Sequence, residues 1–378
     1  MTTHPTSSFG APPAARDYGL TGESSRRAVA AGLAAAEWYH TEVPRKVMKE
    51  LMQRRDGPAL RDTAIWIALH VLLAWGGIYF WGSWWAVPFW LAYGVLYGSA
   101  CDSRWHECGH GTAFRTGWMN DVVYHIASFQ VMRNPVSWRW SHARHHTDTI
   151  IVGRDAEIAW MHPIKLGLKA LAYVGLVDAW QSFRALARQA RGVLSPDEAD
   201  YIPRSEWPKA ILAARIHMTI YALTALVALG LLAAGMGWMA VIPFLIIGGP
   251  RMYGCWHMVM TGLLQHGGLA EDVLDHRLNS RTVYMNPISR WIYWNMNYHV
   301  EHHMFPMVPY HALPRLHEVI KHDLPPPNPS IWAAYREMMQ AVLRQRREPG
   351  YYLQRQLPST ARPYRLDLHQ AIPEREPA

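Results

Sequence analysis

The chain has 378 residues, a formal charge of +8, apolar side chains at half of its positions and only three cysteines. Cys101, Cys108 and Cys255 form no CxxC pair, which excludes a disulfide framework or a zinc ribbon. The basic residues form no compact patch interleaved with aromatics, so no nucleic-acid partner is expected.

Residues 1–23, rich in Thr, Ser, Pro and Gly, read as a disordered tail without a secretory signal. Ser24 or Ser25 can cap an Ala-rich helix running to His40, and a second helix is expected from Pro44 to Arg55, both within a cytoplasmic segment 24–62. Thr63 to Cys101 then carries no Asp, Glu, Lys or Arg in 39 residues, and Ile216 to Pro250 none in 35. A span takes about 20 helical residues, so each run is long enough for two. Gly82-Ser83 and Gly235-Met236-Gly237 divide them into spans at about 63–81, 84–101, 216–234 and 238–256. The expected fold is an all-α integral membrane protein, four transmembrane helices in two hairpins. All 37 Lys and Arg residues fall outside the two uncharged runs, which places the connecting segments on the cytoplasmic side. Trp81, Trp84 and Trp85 mark a hairpin tip at the far interface.

Between the hairpins, Leu166 to Arg191 has an apolar side suited to the membrane interface. The membrane domain is expected over 63–325. A Pro-rich run, Leu324 to Pro329, closes it, and a helix to about Arg347 and a polar tail complete 326–378.

Eight of the 21 histidines lie in three clusters: His106-Glu-Cys-Gly-His110, His142-Ala-Arg-His145-His146 and His299-Val-Glu-His302-His303. Spacings of three and four residues put imidazoles on one helix face. Asn134-Pro135 can start a helix carrying the second cluster and Asn286-Pro287 one carrying the third, while the first continues from the second span. An even number of crossings separates the clusters, so all three emerge in one cytoplasmic helical cap. Eight imidazoles exceed what a tetrahedral zinc uses and fit a pair of metals. Two rivals remain at this stage. His106-Glu107-Cys108-Gly109-His110 is also a literal HExxH, the zinc metalloprotease pattern with Glu107 as general base. A non-catalytic membrane metal carrier would also use clustered histidines, although carriers usually place ligands within their spans.

HECGH, HARHH and HVEHH resemble the three histidine boxes of the membrane fatty acid desaturase and hydroxylase superfamily, and MNYHVEHHMFP resembles its third-box region. The resemblance covers roughly residues 60 to 325. It implies two non-haem irons bound by His106, His110, His142, His145, His146, His299, His302 and His303, with His266 of Leu264-Gln265-His266-Gly267 as a further ligand. The implied activity uses O2 and two electrons to desaturate or hydroxylate an unactivated C–H of a lipid or other apolar substrate. In acyl-coenzyme A desaturases an Asn stands four residues before the extra histidine, whereas here that position is Gly262, so the resemblance supplies no last ligand for the second iron. HECGHGTAF and TDTIIVGRDAEI also look similar to a bacterial rhizopine-catabolism oxygenase subgroup, which would make the reaction O-demethylation of a small molecule and the location a bacterial inner membrane. No GxGxxG fold, iron–sulfur cysteine set or His-Pro-Gly-Gly haem motif is present, so a separate ferredoxin or cytochrome-type donor with its reductase is implied as external reductant.

Of the other histidines, His125, His162, His276, His311 and His317 read as hydrogen-bonding or surface groups, and His70 and His257 as contacts between spans. Asp148, Asp155 and Glu157 either orient imidazoles or are solvated.

Overall fold

A computed structural model describes residues 16–366, and every regular element among them is helical, with two isolated β-bridges, Thr282 to Tyr298 and Val283 to Asn328. The expected disordered tail lies partly outside the described residues. Its last part is ordered, with Leu20 buried.

Helix α1 (Glu23–Ala30) stops well short of His40. Gly32 takes a left-handed φ of 73° and Leu33 N–H bonds back to Ala28 O, closing the helix. Leu33 and Trp38 then bury against Ile151 and Leu274, a contact that a continuous helix could not make. Helix α2 (Arg45–Leu51) follows Pro44 and is shorter than expected.

Helix α3 (Asp56–Tyr79) turns at Gly82 into α4 (Ala86–Gly98), and a break at Ser99 leads straight into α5 (Ala100–His110). Gly76 and Gly77 let α3 approach α4 closely, because a Cβ there would come within 2.4 Å of Phe89 and 2.6 Å of Trp90 respectively. Gly111, at φ 68°, terminates α5. Helix α6 (Gly117–Gln130) folds back along it. Asn134 caps α7 (Pro135–Thr147), accepting from Val136 and Ser137 N–H while donating to Gln189 Oε1 and Ala210 O.

Helices α8 (Leu166–Ala172) and α9 (Leu176–Ala190) expose Leu168, Leu171, Leu176 and Trp180. A Ser195–Glu198 capping box starts α10 (Pro196–Tyr201), and α11 (Trp207–Ala233) is the longest helix described. The return limb is not the continuous helix expected over 238–256. It runs as a 3₁₀ turn, Gly237–Val241, then α12 (Ile242–Ile246), α13 (Pro250–Tyr253) and α14 (Trp256–His266). Close packing accounts for the breaks: a Cβ on Gly254 would sit 1.8 Å from Gly94 O, and Ser99 Oγ donates to Gly254 O. The backbone of the limb touches that of α4, and Gly248 turns at φ 80° to let it.

Helix α15 (His276–Asn279) and α16 (Pro287–Ile292) come next, and α17 (His299–Met304) carries the third cluster. That cluster therefore stands on its own short helix, because the chain turns through Trp294 and Asn295, both at positive φ, before it. Helices α18 (Leu313–Ile320) and α19 (Ile331–Gln345) finish the fold. Beyond them the tail is held: Tyr352, Tyr364 and Leu366 pack on Ala270, Val273 and Leu278, while Arg277 donates to the carbonyls of Arg362 and Pro363.

Two segments, Arg45–Tyr79 and Arg204–Ala233, contain helices long and apolar enough to cross a membrane, with only 28% and 17% of their most apolar windows buried. A core helix of a soluble protein would be covered. Here Val71, Leu72, Trp75, Leu226 and Leu229 face outward, as lipid contact requires. Trp84, Trp85 and Trp238 project from the hairpin ends.

Candidate metal centre

Each histidine cluster divides between two points, and helical geometry does the dividing. On α7, His142 and His146 are four residues apart and point one way, while His145 points another. On α17, His299 and His303 pair in the same manner and His302 diverges. The first group collects His106, His110, His142, His146 and His302; the second collects His145, His266, His299 and His303. Within each group the ligand atoms lie within 4.8 Å of one another. All nine histidines singled out from the sequence are thus brought together, His266 from the end of α14.

The nitrogens that converge are Nε2 atoms. In the first group His142 lies 3.1 Å from His106, 3.2 Å from His110 and 3.1 Å from His146, with His302 at 3.2 Å from His146 and 2.6 Å from His106. In the second, His299 lies 3.1 Å from His266 and 3.0 Å from His303. Metal–nitrogen bonds of about 2.1 Å at right angles would set neighbouring donors about 3 Å apart, so the spacing fits metal ligation.

The outward nitrogens of several rings are anchored. Glu157 accepts from His142 Nδ1 at 3.0 Å and Asp155 from His145 Nδ1 at 2.8 Å, so one carboxylate serves each group. Asn279 O takes His266 Nδ1 at 2.7 Å. A proton held on Nδ1 leaves Nε2 with its lone pair facing inward. Among the described residues, the buried Nδ1 atoms of His146, His299 and His302 have no hydrogen-bond partner.

Burial, reinforced by neighbouring imidazoles, holds His106, His146, His299, His302 and His303 well below the ordinary histidine range, and His266 at about 3. Neutral imidazoles are what a metal needs. His145 moves the other way: burial opposes its charge, but Asp155 beside it wins. Burial also works against ionised Glu157, yet His142 and His145 hold it down at about 2.

Glu107 does not play the part that HExxH would give it. Its carboxylate accepts from the Thr112 hydroxyl at 2.9 Å and from Tyr310 N–H at 3.1 Å, and no cluster imidazole is among its hydrogen-bond partners. Glu301 of the third cluster likewise turns away, to His317 Nδ1 and the Thr282 hydroxyl.

Asp155 and Glu157 are the residues on which sequence reasoning did not commit. The usable signal was their position ten and fifteen residues beyond the imidazoles they hold, but only the turn after Thr147 brings them back. Asp148, considered with them, pairs with Arg154 and caps Ala35 N–H instead. His276 stacks on Trp38 with ring centroids 4.2 Å apart, and His257 and His70 make packing contacts with Ser289 and the Trp66 carbonyl.

Among curated proteins the chain is similar to an acyl-lipid (9+3)-(E)-desaturase of Dimorphotheca sinuata, 24% identical over 289 residues covering 66% of this chain and 73% of that one. It is also 24% identical over 278 residues to an endoplasmic reticulum omega-6 fatty acid desaturase of Glycine max, covering 66% and 72%. An sn-1 acyl-lipid omega-3 desaturase (ferredoxin) of Synechocystis matches at 24% over 270 residues, covering 63% and 68%. The family profile for fatty acid desaturases matches residues 82–335, well over half the chain and inclusive of all three clusters. This protein belongs to the fatty acid desaturase family.

Proposed function

We propose that this protein is a membrane-bound di-iron oxidoreductase that uses O2 and two electrons to carry out a desaturase-type oxidation of an unactivated C–H, with a lipid acyl chain as the first substrate class to examine. The observation that carries this reading is the convergence of nine Nε2 atoms into adjacent groups of five and four. His106, His110, His142, His146 and His302 would hold one iron, and His145, His266, His299 and His303 the other. Bound there, the metal pair would supply O2 activation and hydrogen abstraction.

The remaining work falls to the chain itself. Glu157 and Asp155 fix the tautomers of His142 and His145, one in each group. The Trp105 ring lies 5.1 Å from that of His142 and covers one side of the first group. Four spans with the clusters on the cytoplasmic side of a bacterial inner membrane agree with the distribution of Lys and Arg. Electrons would arrive from a ferredoxin or cytochrome-type donor with its reductase, consistent with the ferredoxin named for the Synechocystis relative.

The test is turnover by the detergent-solubilised protein with ferredoxin, ferredoxin reductase and NADPH on a panel of acyl lipids. Oxygen consumption coupled to loss of two hydrogens from a lipid, abolished in His302→Ala, is the expected result. Proteolysis that needs zinc but neither O2 nor reductant would replace this reading with the metalloprotease one. Oxygen consumption with hydroxylation, or with O-demethylation of a small molecule, in place of loss of two hydrogens would redirect the reading to an oxygenase.

A further inference from the structure

Two chains of aromatic rings lead away from the imidazole groups. The first passes from His142 to Trp105 at 5.1 Å and on to Trp138 at 4.1 Å, the two indoles meeting edge-on at 74°. It ends under the Arg133 guanidinium, 3.9 Å over the Trp138 ring, and beside α6, which turns Trp118, Val122 and Ile126 outward as lipid contact requires.

The second chain starts from His303. That ring lies 5.1 Å from His276, and His276 lies 4.2 Å from Trp38 with the two planes only 2° apart. The stack is closer than the roughly 4.5 Å at which aromatic pairs usually begin. It is also held from outside, although residues 36–44 form no helix or strand. Trp38 Nε1 donates to Thr147 O at 2.9 Å, directly after His146, and Tyr39 N–H bonds Leu274 O, two residues before His276. Arg277 lies 3.7 Å over the Tyr39 ring, whose hydroxyl donates to Asp323. Packing alone does not call for an imidazole at 276: its buried Nδ1 has no hydrogen-bond partner among the described residues, a cost that an apolar ring would avoid. At the inner end, His303 lies 4.6 Å from His146, so this chain reaches a ring that touches both groups. At the outer end, the partly exposed Ala31 and Ala36 cover the cluster that holds Trp38, and Gly32 and Ala35 beside them are exposed. Side chains this small let another protein come close to the indole.

We infer that electrons enter through Trp38 and His276, delivered by a one-electron iron–sulfur or haem carrier protein that docks over residues 32–40. This rests on the di-iron reading and gives its reductant a place of entry. Each carrier is oxidised by one electron and one metal ion is reduced by one, so two carriers serve a turnover. The rings pass the electron by tunnelling, and no bond in them forms or breaks. Trp38 and His276 are positioning residues, since neither belongs to the two imidazole groups.

Cys101, Cys108 and Cys255 are all buried, so a single introduced cysteine takes a label at a chosen surface position. The experiment attaches a ruthenium polypyridyl photoreductant to Ala35→Cys, close to Trp38, or to Arg139→Cys, next to Trp138, in the iron-loaded full chain in detergent. Flash-induced reduction of iron is followed by absorbance and checked by Mössbauer spectra. Reduction from position 35 is expected to be at least tenfold faster than from position 139, although 139 is only three residues from His142. Adding Trp38→Leu should slow the rate from position 35 at least tenfold and leave the rate from position 139 unchanged, which a merely structural role for Trp38 would not do. A bulky maleimide on Ala35→Cys should slow reduction by ferredoxin at least tenfold without changing reduction by dithionite. The label comparison needs no change at Trp38 and decides the route even if the Leu variant folds poorly. Equal rates from the two positions, a faster rate from position 139, no slowing by Trp38→Leu, or ferredoxin reduction indifferent to the maleimide would overturn the inference. A protein without two irons before the flash would instead contradict the di-iron reading itself.

Discussion

The two imidazole groups are built to different standards of support. The first rests mainly on α5 and α7, helices of 11 and 13 residues, and draws one ring from α17. The second draws two of its four rings from the six-residue α17 and one from the last residue of α14. Its surroundings are walled by chain termini: Tyr18 donates to Glu271, Arg365 N–H bonds Asp275, and Trp38 stacks on His276, whose ring lies 5.1 Å from that of His303. Regular helices fix the first group through their own hydrogen bonds, whereas the second depends on long-range contacts and has one ring fewer. It is therefore expected to bind metal less tightly.

Removing a ring should expose that difference most strongly. His266→Ala leaves the second group with three imidazoles and is expected to reduce iron from two per chain toward one, with the remaining Mössbauer signal belonging to the first group. Loss of both irons together would mean that the groups are not separable.

The anchoring carboxylates sharpen the contrast at lower cost. Replacing such a partner typically weakens metal binding by about 10–100-fold. Asp155→Asn should weaken the second group and Glu157→Gln the first, measured as iron retained during dialysis against a chelator. Asp155 also accepts from Ile150 N–H and Glu157 N–H, so its replacement should have the larger effect.

Glu271 reports on the terminal wall. Burial raises it to about 7, although Arg16 acts in the opposite direction. The folded state thus holds this proton more tightly than the unfolded chain, whose carboxyl titrates near 4.5. Stability is lost as pH rises from about 4.5 through 7. At roughly 1.4 kcal/mol per pKa unit the loss reaches about 3 kcal/mol, and Glu271→Gln should abolish it. Unfolding midpoints of both proteins from pH 5 to 8 check this, with the variant gaining on wild type as pH rises. The smallest effect is expected at Gly262, one turn before His266, where an added Cβ meets nothing within 4 Å. Gly262→Asn can place an amide oxygen beside the second group and should alter the Mössbauer parameters of that site alone.

The parts of this arrangement that local chemistry dictates were legible in the sequence. Histidines three and four apart, Asn134-Pro135 as a helix start and uncharged runs of 39 and 35 residues each act over a few turns. What was not legible depends on contacts between distant segments. The return limb of the second hairpin breaks because Gly254 meets Gly94, a pairing across 160 positions. The Ala-rich stretch ends at Ala30 because Leu33 and Trp38 have a core to enter, and composition alone favoured a longer helix. Asp148, Asp155 and Glu157 stood together in the sequence as possible imidazole partners, but which of them turns back to a ring is decided by the fold after Thr147, and the polar tail gave no sign of its hold on Arg277.

The central claim is that the five-ring and four-ring groups hold an iron pair. Its most direct test is the iron content and Mössbauer spectrum, before and after reduction, of the purified detergent-solubilised protein beside His145→Ala and His302→Ala. Two coupled irons per chain in wild type, with coupling lost in both variants, is the predicted result. Stoichiometric zinc without iron, or iron unchanged by either substitution, would contradict it.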